Sequence, residues 1–279
     1  MKVSKIRWTD YSGGVLNFAS GCTPVSEGCA NCYAKAIADR WGRSFEPTWD
    51  RAKLSKLATL RFAEYSPKRG APHRPMAFVC DTGDLFHEDI PDKVIGDFVD
   101  VCCARDDVIW QVLTKRPRRM HSLFNRWFEW EPAPENIWLG VSVENQRAAE
   151  ERVPVLLRVN AALRFVSVEP MLEQIDLERY LVGWHEDVEP RVVGECGGEL
   201  IVVPQQIQVQ DPSLAWVICG GESGPNRRPF DIAWALRLYE QSRDHGVPFF
   251  FKQGSNRFPG RDDRLPEGGE VKEWPDWEG

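Results

Sequence analysis

The stretch Asn136–Asn145, NIWLGVSVEN, decides the fold. Its first half is an unbroken apolar run, and the run ends in the polar residues Ser142 and Glu144. A strand with one wet face alternates apolar and polar residues; an unbroken run suits a strand buried on both faces, as in a parallel sheet. Five other stretches share the design: MAFVCDTGD (Met76–Asp84), VIWQVLTKR (Val108–Arg116), LRFVSVEP (Leu163–Pro170), AWVICGGESG (Ala215–Gly224) and VPFFFKQG (Val247–Gly254). A shorter candidate strand, GVLNFASG (Gly14–Gly21), precedes them. Helical spacing falls between the runs, at Leu54, Leu57, Ala58 and Phe62, and at Val94, Ile95, Phe98, Val101 and Cys102 after Pro91. Asp231 can cap a further helix carrying Ile232, Ala235, Leu236 and Tyr239, which Gly246 stops. Strand–helix alternation implies right-handed βαβ units. The fold class expected is α/β, a (β/α) barrel, full or partial, with an open doubly wound sheet as the alternative.

In parallel α/β folds the functional site gathers at the carboxyl ends of the strands. The expected tips here are Asp81 and Asp84; Thr114, Lys115 and Arg116; Ser142 and Glu144; Ser167 and Glu169; Glu222 and Ser223; Lys252 and Gln253. Singly, each also reads as loop polarity or helix capping. Two regions stand apart. Residues 173–211 are polar and irregular, and read as an inserted loop or hairpin over the barrel mouth. Residues 255–279 are rich in Pro, Gly and charge and read as a loosely packed surface tail after a catalytic domain of residues 1–254.

The 279 residues are 42% hydrophobic, enough for a large core, and the net charge of −7 argues against a general polyanion binder. The opening MKVSKIRWTD lacks an export signal and no apolar stretch is long enough for a membrane span, so a cytoplasmic protein with no membrane partner and reduced thiols is expected.

Three of the eight cysteines lie together in GCTPVSEGCANCYA, as Cys22, Cys29 and Cys32 with spacing C-x6-C-x2-C. Gly21 and Gly28 each precede a cysteine and let the chain curl. Three thiolates can hold three irons of a [4Fe–4S] cluster and leave the fourth iron open. A zinc site needs a fourth ligand, for which Cys80, His73 and His87 are candidates. Free cysteines are the third alternative. Cys102 and Cys219 read as core residues, Cys103 as incidental and Cys196 as a loop residue or a reactive thiol.

With these motifs in place, the chain resembles the phage and bacterial three-Cys-motif proteins, radical S-adenosylmethionine (SAM)-like and distantly similar to spore photoproduct lyase. The similarity runs through DTGDLFHE (Asp81–Glu88), QVLTKRP (Gln111–Pro117), NIWLGVSVENQ (Asn136–Gln146), FVSVEPML (Phe165–Leu172), WVICGGESGPNRRP (Trp216–Pro229) and PFFFKQ (Pro248–Gln253). Two departures stand out: Leu16, Asn17 and Phe18 where the family reads tryptophan–asparagine–proline, and a first cysteine gap wider than the usual radical-SAM C-x3-C-x2-C. The resemblance implies a [4Fe–4S] cluster on Cys22, Cys29 and Cys32, with Tyr33 beside it. It also implies SAM cleaved by one electron to a 5′-deoxyadenosyl radical, an external electron donor, and a partner protein. By position, Asp81, Thr82 and Gly83 would meet the SAM amino group, Lys115 or Arg116 its carboxylate, and Ser142 and Glu144 the ribose. Gly220 and Gly221 would lie under the adenine, and Glu169, Glu222 and Lys252 would face substrate as catalytic residues. The competing role for these acids is an ion-pair network filling the barrel.

For the substrate, TKRPRRMHSLFNRWF (Thr114–Phe128) mixes basic and aromatic residues, as a nucleic-acid track does; it reads equally as a solvated helix start at Pro117 whose Leu123, Phe124 and Trp127 pack into the core. Arg227 and Arg228 would extend it. Together with the resemblance this points to a nucleic acid or nucleotide substrate, modified or repaired. The alternative class is a non-catalytic zinc or iron–sulfur protein that binds nucleic acid or a partner.

Overall fold

The structure, a computed structural model, describes residues 3–62, 71–182, 184–196, 199–210, 213–266 and 269–276. In chain order the elements are β1 (Tyr11–Ser12), β2 (Ala19–Ser20), α1 (Tyr33–Arg40), β3 (Thr48–Trp49), α2 (Arg51–Leu57), β4 (Met76–Phe78), α3 (Asp92–Ala104), β5 (Ile109–Thr114) and α4 (Pro117–Trp127). They continue with β6 (Ile137–Ser142), α5 (Gln146–Leu157), β7 (Leu163–Val168), α6 (Glu178–Leu181), β8 (Trp184–Cys196), β9 (Glu199–Gln210), β10 (Trp216–Gly220), α7 (Ile232–Asp244) and β11 (Phe249–Gln253).

Strands β1, β4, β5, β6, β7, β10 and β11 form one sheet in that order, and every neighbouring pair is parallel. A sequential order with right-handed crossovers puts the helices on one face, whereas a doubly wound sheet reverses its order and carries helices on both. The result is a half-barrel, the partial form of the expected barrel. Among the described residues β1 and β11 remain its two edges.

The strand period of two sorts the core into two layers. Trp110, Val112, Leu139, Val141, Val166, Val168, Val217, Cys219, Phe249 and Phe251 lie with Ile95 and Phe98 of α3, Phe124 of α4, Leu156 of α5 and Leu238 of α7. The alternate residues Ile109, Trp138, Phe165, Trp216, Ile218 and Phe250 form the second layer with Trp8 and Trp274. This layer lies on the concave side, so aromatic side chains plug the half-barrel. Gly140 is needed there: a Cβ at this position would lie 2.5 Å from the Phe165 ring.

Helix signals are met where expected. Asp231 caps α7 by accepting from the Ala233 N–H at 2.9 Å, and Gly246 follows the helix at φ +67°. Pro117 opens α4. Three expectations need correction. Gly14–Gly21 is not a sheet strand. Gly13 and Gly14 take positive φ (74° and 59°), so the chain turns into a short 3-10 helix and the sheet strand is Tyr11–Ser12 before them. The helix carrying Leu54 and Leu57 ends at Leu57, short of Phe62. The segment after Gly254 is not loose. Lys272 bridges Phe250, Phe251 N–H donates to the Val271 carbonyl at 2.9 Å, and Val271 and Trp274 are buried. The apolar residues of the tail cover the second layer of the core, which its Pro and Gly content hid.

Within the insert, β8 and β9 pair antiparallel from Trp184↔Gln210 to Cys196↔Glu199, a long hairpin. Its side chains, Cys196 included, lie outside the described residues.

Candidate functional site

The cysteine loop is tied down beside the tips of β4 and β5. Gly21, at φ +80°, donates to the Thr82 carbonyl at 3.0 Å and bridges Gly83. A Cβ on Gly21 would fall 2.2 Å from the Glu46 carbonyl oxygen, and one on Gly83 2.8 Å from the Ser20 Cα. Only glycines let these two backbones touch. Cys22 N–H then donates to the Phe45 carbonyl at 3.1 Å. The chain curls through a 3-10 turn at Glu27–Cys29, Cys32 N–H donates to the Cys29 carbonyl at 3.3 Å, and Cys32 holds the N-cap position of α1. All three thiols are half-buried, whereas Cys80, Cys102 and Cys219 are buried.

Polar groups from six strand ends, β4, β5, β6, β7, β10 and β11, gather on this side of the sheet. Asp84 accepts from Thr114 Oγ1 (2.7 Å), Lys115 N–H (3.2 Å) and Arg116 Nη1 (3.2 Å). Glu144 is fully buried; it accepts from Ser26 Oγ (2.6 Å) and Arg152 Nη1 (3.0 Å), and Lys115 Nζ stands 3.6 Å away. Glu169 pairs with Lys252. Glu222 accepts from Asn31 Nδ2 (3.0 Å) and Arg228 Nε (3.1 Å), and Arg228 also reaches the Glu27 carbonyl at 3.1 Å. Ser26, Glu27 and Asn31 belong to the cysteine loop itself, so β6, β7's neighbour β10 and the loop are held together by ionised groups.

The thiols differ in acidity. Burial pushes the Cys22 thiol up and the Asp84 charge adds to this, against the pull of Arg116. Burial also acts upward on Cys29. Backbone hydrogen bonds at Val25 and Ser26, the Lys115 charge and the Ser26 hydroxyl outweigh it, and Cys29 ends below the ordinary thiol value. Burial drives Cys80 and Cys219 far up, so both stay thiols.

Thiols are the donor type for either an iron–sulfur cluster or a zinc ion. One zinc needs all its ligands at about 2.0–2.3 Å. Among the described residues no three His, Cys, Asp or Glu side chains converge on such a point. The suggested fourth zinc ligands are otherwise placed. Cys80 is buried with Sγ toward the Leu16 carbonyl, His73 is exposed, and both His87 ring nitrogens are engaged, by Thr23 Oγ1 at 2.8 Å and Asp89 N–H at 3.1 Å. Three half-buried thiols on one curled loop are a donor set of the kind that iron–sulfur clusters use.

The other candidates fall into two groups. Asp81 lies at the site, with its carboxylate on Asn17 Nδ2 and its carbonyl accepting from Tyr33 Oη; burial raises its pKa. Gly220 borders the Glu169–Lys252 pair, its Cβ position 3.6 Å from the Glu169 carboxyl carbon. Tyr33, bonded to Asp81, has half of its surface exposed (51%). Thr82 and Gly83 lie at the loop junction, through the Thr82 carbonyl and the bare Gly83 Cα. Gly221 faces the Gly254–Ser255 backbone, with a Cβ position 2.8 Å from the Ser255 nitrogen. Ser142 is buried, and its carbonyl accepts from Arg152 at 2.6 Å. The expected ion-pair network is present as separate pairs, with Glu169 on Lys252 and Glu222 on Arg228. Arg152 and Asn31 drew no attention in the sequence. Arg152 lies on α5 and reaches back to Glu144, which precedes the helix, so no helical spacing signals the pair.

Arg118 and Arg126 of the basic stretch Thr114–Phe128 are exposed, and other basic groups in it are tied to neighbouring carboxylates or carbonyls. Arg119 is bound to Asp92 (2.7 Å) and to the His87 and Ile90 carbonyls, Arg126 to Asp92 (3.2 Å), and Lys115 to Glu144. Met120, Leu123 and Phe124 are core residues. Arg228 is likewise committed to Glu222.

Fold and site define a half-barrel α/β protein with a three-thiol loop at the carboxyl end of its parallel strands. The chain belongs to a family of proteins of unknown function, DUF5131, whose model matches residues 3–267. No curated protein matches it. Among solved structures it is similar to spore photoproduct lyase complexed with dinucleoside spore photoproduct, at 12% identity over 91% of this chain and 78% of that one, with a TM-score of 0.46. It is also similar to a mutant of that lyase with bound AdoMet and dinucleoside spore photoproduct, at 16% identity and a TM-score of 0.39. That match covers 58% of this chain and spans about half, 47%, of the other.

Proposed function

We propose that the protein is a radical-SAM-type enzyme: Cys22, Cys29 and Cys32 would hold a [4Fe–4S] cluster, SAM would bind beside it, and a nucleotide or nucleic acid is the substrate. One observation carries this. Three half-buried thiols, one of them acidified, stand on a single curled loop at the strand ends, while the other buried cysteines sit in the core. Cluster and SAM together supply one-electron cleavage of a sulfonium and a radical able to take hydrogen; that chemistry is the cofactors' own. The chain's residues bind, orient and exclude water. Asp81, fixed by Asn17, offers a carboxylate to an amino group, and Tyr33 presents its ring beside Cys32. Glu169 and Lys252 form a pair at the mouth that an incoming polar substrate can exchange with. Below them the aromatic layer of Trp138, Phe165 and Trp216 closes the half-barrel to water. For the substrate class, the sequence resemblance is the support; the Thr114–Phe128 stretch is not.

The test is anaerobic purification. A brown protein with a broad visible absorbance, about four irons per chain, and release of 5′-deoxyadenosine from SAM with dithionite supports the proposal. Cys22→Ala, Cys29→Ala or Cys32→Ala should abolish the colour and Cys103→Ala should not. A colourless protein after iron and sulfide reconstitution, or a cluster that leaves SAM intact, refutes it. Nucleic-acid retention that is absent at low salt would restrict the substrate to free nucleotides.

A further inference from the structure

Arg116 stands at the tip of β5, just before α4, with its side chain 11% exposed. All five guanidinium N–H groups are engaged. Nε donates to Glu88 Oε2 (3.1 Å), and Nη1 to Asp84 Oδ2 (3.2 Å) and Cys22 Sγ (3.2 Å). Nη2 donates to the Thr23 carbonyl (3.1 Å) and Thr23 Oγ1 (2.9 Å). The partners are themselves fixed. Asp84 is buried and accepts from Thr114, Lys115 and Phe86 N–H (3.0 Å), and Thr23 Oγ1 also meets His87 Nε2. The guanidinium therefore cannot swing toward a SAM carboxylate without breaking this set, and its fork points at a cysteine sulfur. Neutral thiol sulfur is a weak acceptor, whereas a cluster thiolate is negatively charged and accepts well.

We propose that Arg116 is the positioning residue of the cluster: it clamps the Cys22–Thr23 segment to the β4 and β5 tips and, through its N–H···S bond, favours the reduced cluster. This rests on the proposed function. Reduction adds one electron, supplied in the test by dithionite, and with it one negative charge to the cluster. A fixed cation and a hydrogen bond to a ligand sulfur stabilise that state. Asp84 and Glu88 offset the guanidinium charge, so the directed N–H···S bond is the part that a lysine cannot copy.

The experiment is a dithionite titration of the reconstituted full chain, followed by the electron paramagnetic resonance of the reduced cluster, in wild type, Arg116→Lys and Arg116→Met. Iron content and circular dichroism are read alongside. The expected result for Arg116→Met is a reduction equilibrium at least tenfold less favourable, about 59 mV more negative for one electron, or lost iron in a chain that keeps its native dichroism. Arg116→Lys should shift the same way, and it serves as the readout if the methionine variant does not fold. Wild-type iron content and an unchanged midpoint in either folded variant overturn the inference while leaving the cluster itself in place. A wild-type chain that takes up no cluster instead overturns the proposed function.

Discussion

Removing the Glu144 carboxylate should cost more than any other single change at the strand ends. Glu144 has no exposed surface, and its two oxygens serve Ser26, Arg152 and, at 3.6 Å, Lys115. In Glu144→Ala the Arg152 guanidinium, its side chain 8% exposed, is left buried without its counter-charge. Breaking a buried pair in this way costs about 3–5 kcal/mol. Total stabilities are about 5–15 kcal/mol, so the loss is a large fraction. Unfolding entropy for a chain of this size is about 0.6 kcal/mol/K, and a loss of about 4 kcal/mol lowers Tm by about 7 °C. Scanning calorimetry of the apo protein reads this without any cofactor. Glu144→Gln keeps the hydrogen-bonding shape but not the charge, and should fall between. The paired variant Glu144→Met with Arg152→Met removes both charges and should recover much of the loss, because apolar replacement of a whole buried pair is often neutral. A Tm drop under about 2 °C for Glu144→Ala, or a double variant no better than the single, would show that the pair does not carry the energy argued for it.

Other outcomes follow from the same coordinates. Apo protein treated with iodoacetamide at neutral pH should be modified at Cys29 before Cys22, read by peptide mass spectrometry. The Cys29 rate should level off at lower pH, since its pKa is depressed and that of Cys22 is raised. Gly140→Ala drives a methyl to within 2.5 Å of the Phe165 ring and should destabilise by about 1–3 kcal/mol in urea unfolding; adding Phe165→Leu should relieve part of it. Trp274→Ala should cost about 3 kcal/mol despite its place near the chain end, because its ring packs on Phe250. Phe258→Ala, at a largely exposed position, should fall within about 0.5 kcal/mol of wild type.

Much of the fold was legible because its signals are local. Unbroken apolar runs such as Ile137–Val141 mark strands buried on both faces, and their polar ends mark where the chain leaves the sheet. Cys22, Cys29 and Cys32 are near neighbours in sequence, so their loop could be read directly. The misreadings were also physical. Gly14–Gly21 has strand composition, but positive φ at Gly13 and Gly14 breaks the extended path. The tail has linker composition, yet Val271 and Trp274 bury against the sheet.

The sequence by itself determined that this is a parallel α/β chain with three clustered thiols at a polar strand end. Periodicity, turn residues and short spacings are written within a few tens of residues. Tertiary structure decided which charged groups meet. Ser26 and Glu144 are 118 residues apart, Arg116 and Cys22 94, and Asn31 and Glu222 191. No local pattern encodes such pairings; they follow from strand order and the curl of the sheet. That order paired Arg119 and Arg126 of the basic stretch with Asp92, and brought the Arg116 guanidinium to 3.2 Å from Cys22 Sγ.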